Sequence, residues 1–336
     1  MVDTQRLGRH RQSAPEGLST TRHRAKAAAV IGATILLATI LTTLTLYGPW
    51  RQAQAVHSVS HGRGLATTPG SYVGVYARGV PTSYAPVKAF TAATGINPGV
   101  VSYYSGWPEP FQTNFAATAA SKGAVPLVQM NPTGISIAAI ADGNYDSYLR
   151  AYAQAVRAYH DPVILSFGHE MNGYWYSWGY THTSPDVFVA AWRHIVTVFQ
   201  KQGAENATWL WTINTIHKQT GVPSPESWWP GSSYVTWVGI DGYYTDRTSI
   251  FASVFGPTIA DVRALTRKPI LIAETSVTPT AGQSAKIADL FAGVHIYGLL
   301  GFVWFDSFDK VDLRLTSPSA ITAFRQGYET YRGSAS

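Results

Sequence analysis

Residues 163–179 read VILSFGHEMNGYWYSWG. The first five form a run that is apolar but for Ser166 and is closed by Gly168, the pattern of a strand buried on both faces in a parallel sheet. Directly after it stand His169, Glu170 and Asn172, then four aromatic residues, Tyr174, Trp175, Tyr176 and Trp178. A buried strand that ends in polar and aromatic chemistry fits an α/β fold whose site lies at the C-terminal ends of its strands.

Working outward, similar short runs occur at 72–76, 100–104, 125–130, 208–212, 238–241, 270–273 and 301–305. Amphipathic helical patterns lie between most of them, at 111–122, 145–159, 186–202, 250–265, 284–297 and 318–331. Ser184-Pro185-Asp186 reads as a helix entry, with a capping serine before a proline at the first helical position. Eight strands separated by helices predict a (β/α)8 TIM barrel over 71–336. An open doubly wound sheet is the runner-up. It commonly carries G-x-G-x-x-G after its first strand, and Val73-Gly74-Val75-Tyr76-Ala77-Arg78-Gly79 lacks that pattern.

The 336 residues are 46% hydrophobic, enough for a large core, and contain no cysteine. Disulfide scaffolds, thiolate metal sites and thiol nucleophiles are therefore excluded. The net charge of +6 sits in the N-terminal region: eight of the 25 Lys and Arg, but two of the 19 acids, precede residue 70. The remaining body is neutral, which argues against nucleic acid as a partner.

Residues 1–26 form a basic tail, and 27–46 (AAAVIGATILLATILTTLTL) run for twenty residues without a charge. That length suffices to span a bilayer, and Arg22, Arg24 and Lys26 would keep the N-terminus cytoplasmic. The run is expected to be either a transmembrane signal anchor or the apolar region of a signal peptide cut after Ala53-Gln54-Ala55. Either way the body is expected to work outside the cytoplasm, membrane-anchored or secreted. Residues 47–70 read as a linker.

The residues past the strand ends include Tyr104 and Trp107, Gln129 and Asn131, His169 and Glu170, Trp211 and Asn214, Asp241 and Tyr243, Glu274, and Trp304. The set is rich in aromatic rings and poor in cations. Glu170 and Glu274 end strands four and seven, across the mouth of an eight-stranded barrel. Two facing carboxyl groups among aromatic platforms suit glycoside hydrolysis, which needs a proton donor and an anionic partner for an oxocarbenium-like state. Trp and Tyr faces can bury the apolar C–H faces of sugar rings. A metal is not expected: His169-Glu170 lacks the second histidine of H-E-x-x-H, since position 173 is Gly, and His182, His194 and His217 have no ligand spacing. Neither a Walker A motif nor a G-x-S-x-G elbow occurs.

The run from Phe167 to Gly179 resembles the strand-four signature of glycoside hydrolase family 26, which holds β-mannanases, mixed-linkage β-glucanases and β-1,3-xylanases. Trp209–Asn214, Trp237–Tyr243 and Ile272–Thr275 are similar to further blocks of that family, in the same order. The resemblance implies a retaining endo-β-glycanase without a cofactor, acting by double displacement on β-1,4-mannan or β-glucan. It makes Glu170 the acid/base and Glu274 the nucleophile. It also implies that His169 contacts the sugar, that Trp175 is a stacking wall, that Tyr243 bonds the nucleophile, and that Asp241 lies near the substrate or supports strand six. Asn172, Trp178, Trp211, Trp304, Tyr104, Trp107 and Asn131 complete the expected substrate contacts. The family's histidine after strand three is replaced here by Gln129-Met130-Asn131, which bears on mannan specificity. The expected partner is a polysaccharide, with a monomer as the default state. The competing expectation is a membrane-attached carbohydrate-binding or scaffold protein, or a transglycosylase acting on exopolysaccharide.

Overall fold

The computed structural model describes residues 64–215, 224–308 and 310–333. The expected tail, apolar run and cleavage site lie outside these residues, as does His217. Among the described residues no helix is long and apolar enough to cross a membrane.

Eight parallel strands close into a barrel in sequence order, each hydrogen-bonded to the next and β8 to β1. They are β1 (Tyr72–Ala77), β2 (Val100–Gly106), β3 (Val125–Asn131), β4 (Val163–Phe167), β5 (Ala207–Asn214), β6 (Trp237–Asp241), β7 (Ile270–Thr275) and β8 (Gly301–Asp306). All eight expected strands are present, within a few residues at their ends. Nine helices are described: α1 (Ala85–Thr94), α2 (Thr113–Ala120), α3 (Ile137–Ala141), α4 (Asp146–Tyr159), α5 (Pro185–Lys201), α6 (Phe251–Val254), α7 (Gly256–Leu265), α8 (Gln283–Ile296) and α9 (Pro318–Gly333).

Three local differences from expectation have local causes. The single helix expected over 250–265 is split at Phe255, because Pro257 opens α7 and has no N–H to donate into a preceding turn. Ser184 does occupy the N-cap of α5, with Pro185 in the first turn, but its hydroxyl makes no capping bond. The unexpected α1 and α3 are short and rich in alanine, so they carry little polar–apolar contrast.

Strand residues alternate between two cores. Val100, Leu127, Ile164, Leu210, Leu271 and Val303 face inward and fill the barrel. Val101, Val128, Leu165, Trp211, Ile240, Phe302 and Trp304 face outward into a larger core beneath the helices. Phe188, Trp192 and Phe199 on α5 are fully buried in that outer layer, as helical core positions should be.

The alternation is broken once, at β7. Ile272 pairs with Phe302 and Thr275 with Trp304, so Ala273 and Glu274 together oppose the inward-facing Val303. This bulge turns the glutamate toward the barrel axis although the residue before it also faces inward. Side-chain polarity and strand length gave no sign of it.

Candidate active site

At the C-terminal rim the strand ends present Tyr76, Tyr104, Asn131, Asn214, Glu274 and Phe305, all half-buried, with Tyr243 two residues past β6. Glu170 and His169 follow β4. The site thus draws on every stave of the barrel.

The chain leaves β4 through two left-handed residues, Gly168 (φ 53°) and Glu170 (φ 56°). A Cβ on Gly168 would lie 2.9 Å from the Phe188 ring, so both conformation and space demand glycine there. Glu170 is not glycine, and its positive φ is a strained choice for a residue with a side chain. Its amide donates to the Thr212 carbonyl on β5 (2.9 Å), and the amide of Gly173 donates to its carbonyl (2.8 Å). These bonds hold the turn so that the carboxyl group points into the mouth.

Glu170 is 6% exposed. Asn214 Nδ2 donates to Oε1 (2.5 Å) and Trp175 Nε1 donates to Oε2 (2.7 Å). Burial, reinforced by the charge of Glu274, raises the Glu170 pKa from its usual 4.5 to about 7; the two donors oppose that rise. Asn214 was noted in the sequence but not assigned to the site. It is fixed by Asn172, whose side chain donates to the Asn214 carbonyl (2.9 Å) and accepts from its amide (2.9 Å). Asn172 is buried and its amide group is engaged in this clamp, so the expectation that it contacts sugar is corrected to a bracing role.

Trp175 lies with its indole over Gly173, where a Cβ would come within 2.6 Å of the ring. It is 41% exposed, which leaves a ring face open beside the Glu170 carboxyl. Tyr176, absent from the expected site, stacks on Trp178 at 4.3 Å and 8° and meets His169 Nε2 through its hydroxyl (3.1 Å). Trp178 Nε1 donates to the His169 carbonyl (2.8 Å). His169 is buried and its pKa falls to about 3 through desolvation, so the imidazole is neutral. Among the described residues its buried Nδ1 has no hydrogen-bond partner.

On the opposite side, Glu274 accepts hydrogen bonds from Tyr104 and Tyr243, one on each carboxylate oxygen. Burial and the adjacent carboxylate raise both phenol pKa values well above 10, so both remain donors. Asp241 pairs in register with Glu274, is fully buried, and has its pKa pushed well up by desolvation and by the two glutamates. It therefore lies beneath the rim rather than on it.

Four of the five expected tryptophan contacts are corrected. Trp304 is 0% exposed and packs edge-on against Phe324 of α9; its neighbour Phe305 takes the inward position. Trp211 is buried against Trp229 in the outer core. Trp107 packs on Tyr145, Tyr148 and Phe167 behind the rim. Trp178 is buried and supports His169. In each case a bulky ring is buried among its neighbours instead of lying open at the mouth. Trp228 is likewise buried, against Phe188.

Among the described residues no cluster of three or more His, Asp or Glu is arranged to hold a metal. His194 bonds to Asp146 on α4 (2.6 Å), away from the rim.

Residues 97–283 match the family model described as Glycosyl hydrolase family 26, more than half of the chain. Endoglucanase H of Acetivibrio thermocellus is 28% identical over 265 residues, covering 74% of this chain and 29% of that protein. Beta-1,3-xylanase TXYA of a Vibrio species is 25% identical over 166 residues, covering 46% of this chain and 35% of that protein. The chain thus spans about a third of the length of these relatives. The catalytic domain of the Bacillus sp. JAMB-750 GH26 endo-β-1,4-mannanase shares the fold, with a TM-score of 0.62 at 16% identity over 80% of this chain and 91% of that one. Together with the closed barrel, the family match leads to one conclusion: the chain belongs to glycosyl hydrolase family 26.

Proposed function

We propose that this chain is an extracytoplasmic endo-β-glycanase that cleaves a β-linked polysaccharide with retention of configuration. The observation that carries the reading is the contrast between the two rim carboxyls. Glu170 is desolvated and holds its proton to about pH 7, as a general acid must. Glu274 accepts two hydroxyl hydrogen bonds, which favour a carboxylate.

In the first step an oxygen of Glu274 bonds to the anomeric carbon. The glycosidic C–O bond breaks as the Glu170 proton passes to the leaving oxygen. In the second, the Glu170 carboxylate takes a proton from water, the water oxygen bonds to the anomeric carbon, and Glu274 is released. The half-buried Asn131 can bond sugar hydroxyls and the open Trp175 face can cover a pyranose, whereas His169, 1% exposed and held by Tyr176, braces the rim instead of meeting sugar as expected.

β-1,4-Mannan and β-glucan are the proposed substrates, in line with the similarity to an endoglucanase and to an endo-β-1,4-mannanase. The charge-flanked apolar run at 27–46 supports export, with membrane attachment if it is retained.

The test is hydrolysis of a panel of mannan, mixed-linkage glucan, β-1,3-xylan and exopolysaccharide, with the anomer of the first product read by NMR. Glu170→Gln and Glu274→Gln should each lower turnover by about 10³-fold or more. Full activity in either variant, or initial release of the inverted anomer, would overturn the reading.

A further inference from the structure

Four aromatic side chains follow one another round the part of the rim that holds Glu274. Tyr104 on β2 meets Tyr76 on β1 edge-on, with centroids 4.9 Å apart and planes at 78°. Tyr76 stacks on Phe305 of β8 at 4.8 Å and 28°. Phe305 meets Tyr243, beyond β6, at 6.1 Å and 84°. In the closed strand order β7 lies between β8 and β6, so the series brackets the strand that carries Glu274. The two ends of the series are the tyrosines that donate to the two carboxylate oxygens.

We propose that Tyr104 is a positioning residue for Glu274, forming with Tyr243 a two-point hold whose spacing is kept by the Tyr76–Phe305 stack. The proposal rests on Glu274 being the nucleophile. It goes beyond the family resemblance, which assigns a bond to the nucleophile to Tyr243 and leaves Tyr104 as a sugar contact.

The physical need is rotational. The terminal torsion of a glutamate is broad, so one donor leaves the carboxylate free to swing about the bonded oxygen. Donors on both oxygens, reaching in from β2 and from beyond β6, fix the plane of the group. Attack on an anomeric carbon requires that plane to be set before substrate arrives, because a misplaced nucleophile costs orders of magnitude in rate. When one oxygen becomes the ester oxygen, the other remains a carbonyl acceptor. One tyrosine therefore stays bonded through the intermediate while the other loosens.

The test uses the polysaccharide that the full-length wild type cleaves fastest, with kcat and KM measured across the acid and alkaline limbs of the pH profile. Tyr104→Phe should lower kcat about 10- to 100-fold, the range for a hydrogen bond to a charged group, with KM within about twofold. The acid limb of kcat/KM should move to higher pH, because the lost donor had favoured the ionised nucleophile. Tyr243→Phe should move it in the same direction, and the thermal midpoint of Tyr104→Phe should stay near that of the wild type. Phe305→Leu, which leaves both hydroxyls present, should reproduce the shift in weaker form and serves if Tyr104→Phe folds poorly. A rise in KM with an unmoved acid limb would make Tyr104 a sugar contact and overturn the proposal; unchanged kinetics would do the same. Full activity of Glu274→Gln would instead remove the functional reading beneath it.

Discussion

Replacing Glu170 by glutamine tests the electrostatics of the site through stability, independently of any substrate. In the folded protein the carboxyl keeps its proton to about pH 7, against its usual 4.5. Between those values folding takes up a proton. The folded state therefore holds its full stability below pH 4.5 and loses part of it as pH rises to about 7. At about 1.36 kcal/mol per pH unit, the loss amounts to about 3 kcal/mol. The amide of the variant cannot titrate and escapes it. The substitution carries its own cost, since Trp175 Nε1 and Asn214 Nδ2 both donate to the native carboxyl and an amide presents one acceptor. That cost, about 1–3 kcal/mol, is nearly independent of pH. Asp241 is present in both proteins and largely cancels. The stability difference between Glu170→Gln and wild type should therefore shift in favour of the variant by about 3 kcal/mol between roughly pH 4.5 and 8. For a domain of this size that is roughly 6 °C in melting temperature. Thermal melts of both proteins across this range measure it. A difference that stays constant with pH would refute the claim that Glu170 is desolvated in the folded state.

Three further outcomes follow from the geometry. The kcat/KM of the wild type should fall above about pH 7 as Glu170 loses its proton, and this limb should flatten with an aryl glycoside whose leaving group needs no protonation. Trp304→Ala should cost about 3–5 kcal/mol of stability, read by urea unfolding, while KM stays unchanged, because the ring packs on Phe324 rather than on sugar. Asn172→Ala should cost about 1–3 kcal/mol and lower kcat with little effect on KM, since it frees Asn214 from its clamp and Asn214 from Glu170; an unchanged kcat would show that the clamp does not orient the acid.

The sequence by itself determined the eight staves and the residues that end them. A strand buried on both faces has to be an apolar run, and a run that stops at a glutamate shows where the barrel opens, as at Ile270–Thr275 and at Val163–Phe167 with the turn beyond it. Glu170 and Glu274 were legible for that reason. Only the tertiary structure decided which way each rim residue faces. Trp304 and Phe305 are both aromatic neighbours at the end of one strand, and the pleat sends one to the helices and the other to the mouth. The β7 bulge overrides even that alternation at Glu274. The bonds that tune the site join Tyr104 to Glu274 and Asn214 to Glu170, 170 and 44 residues apart, and such pairings exist only once the barrel has closed.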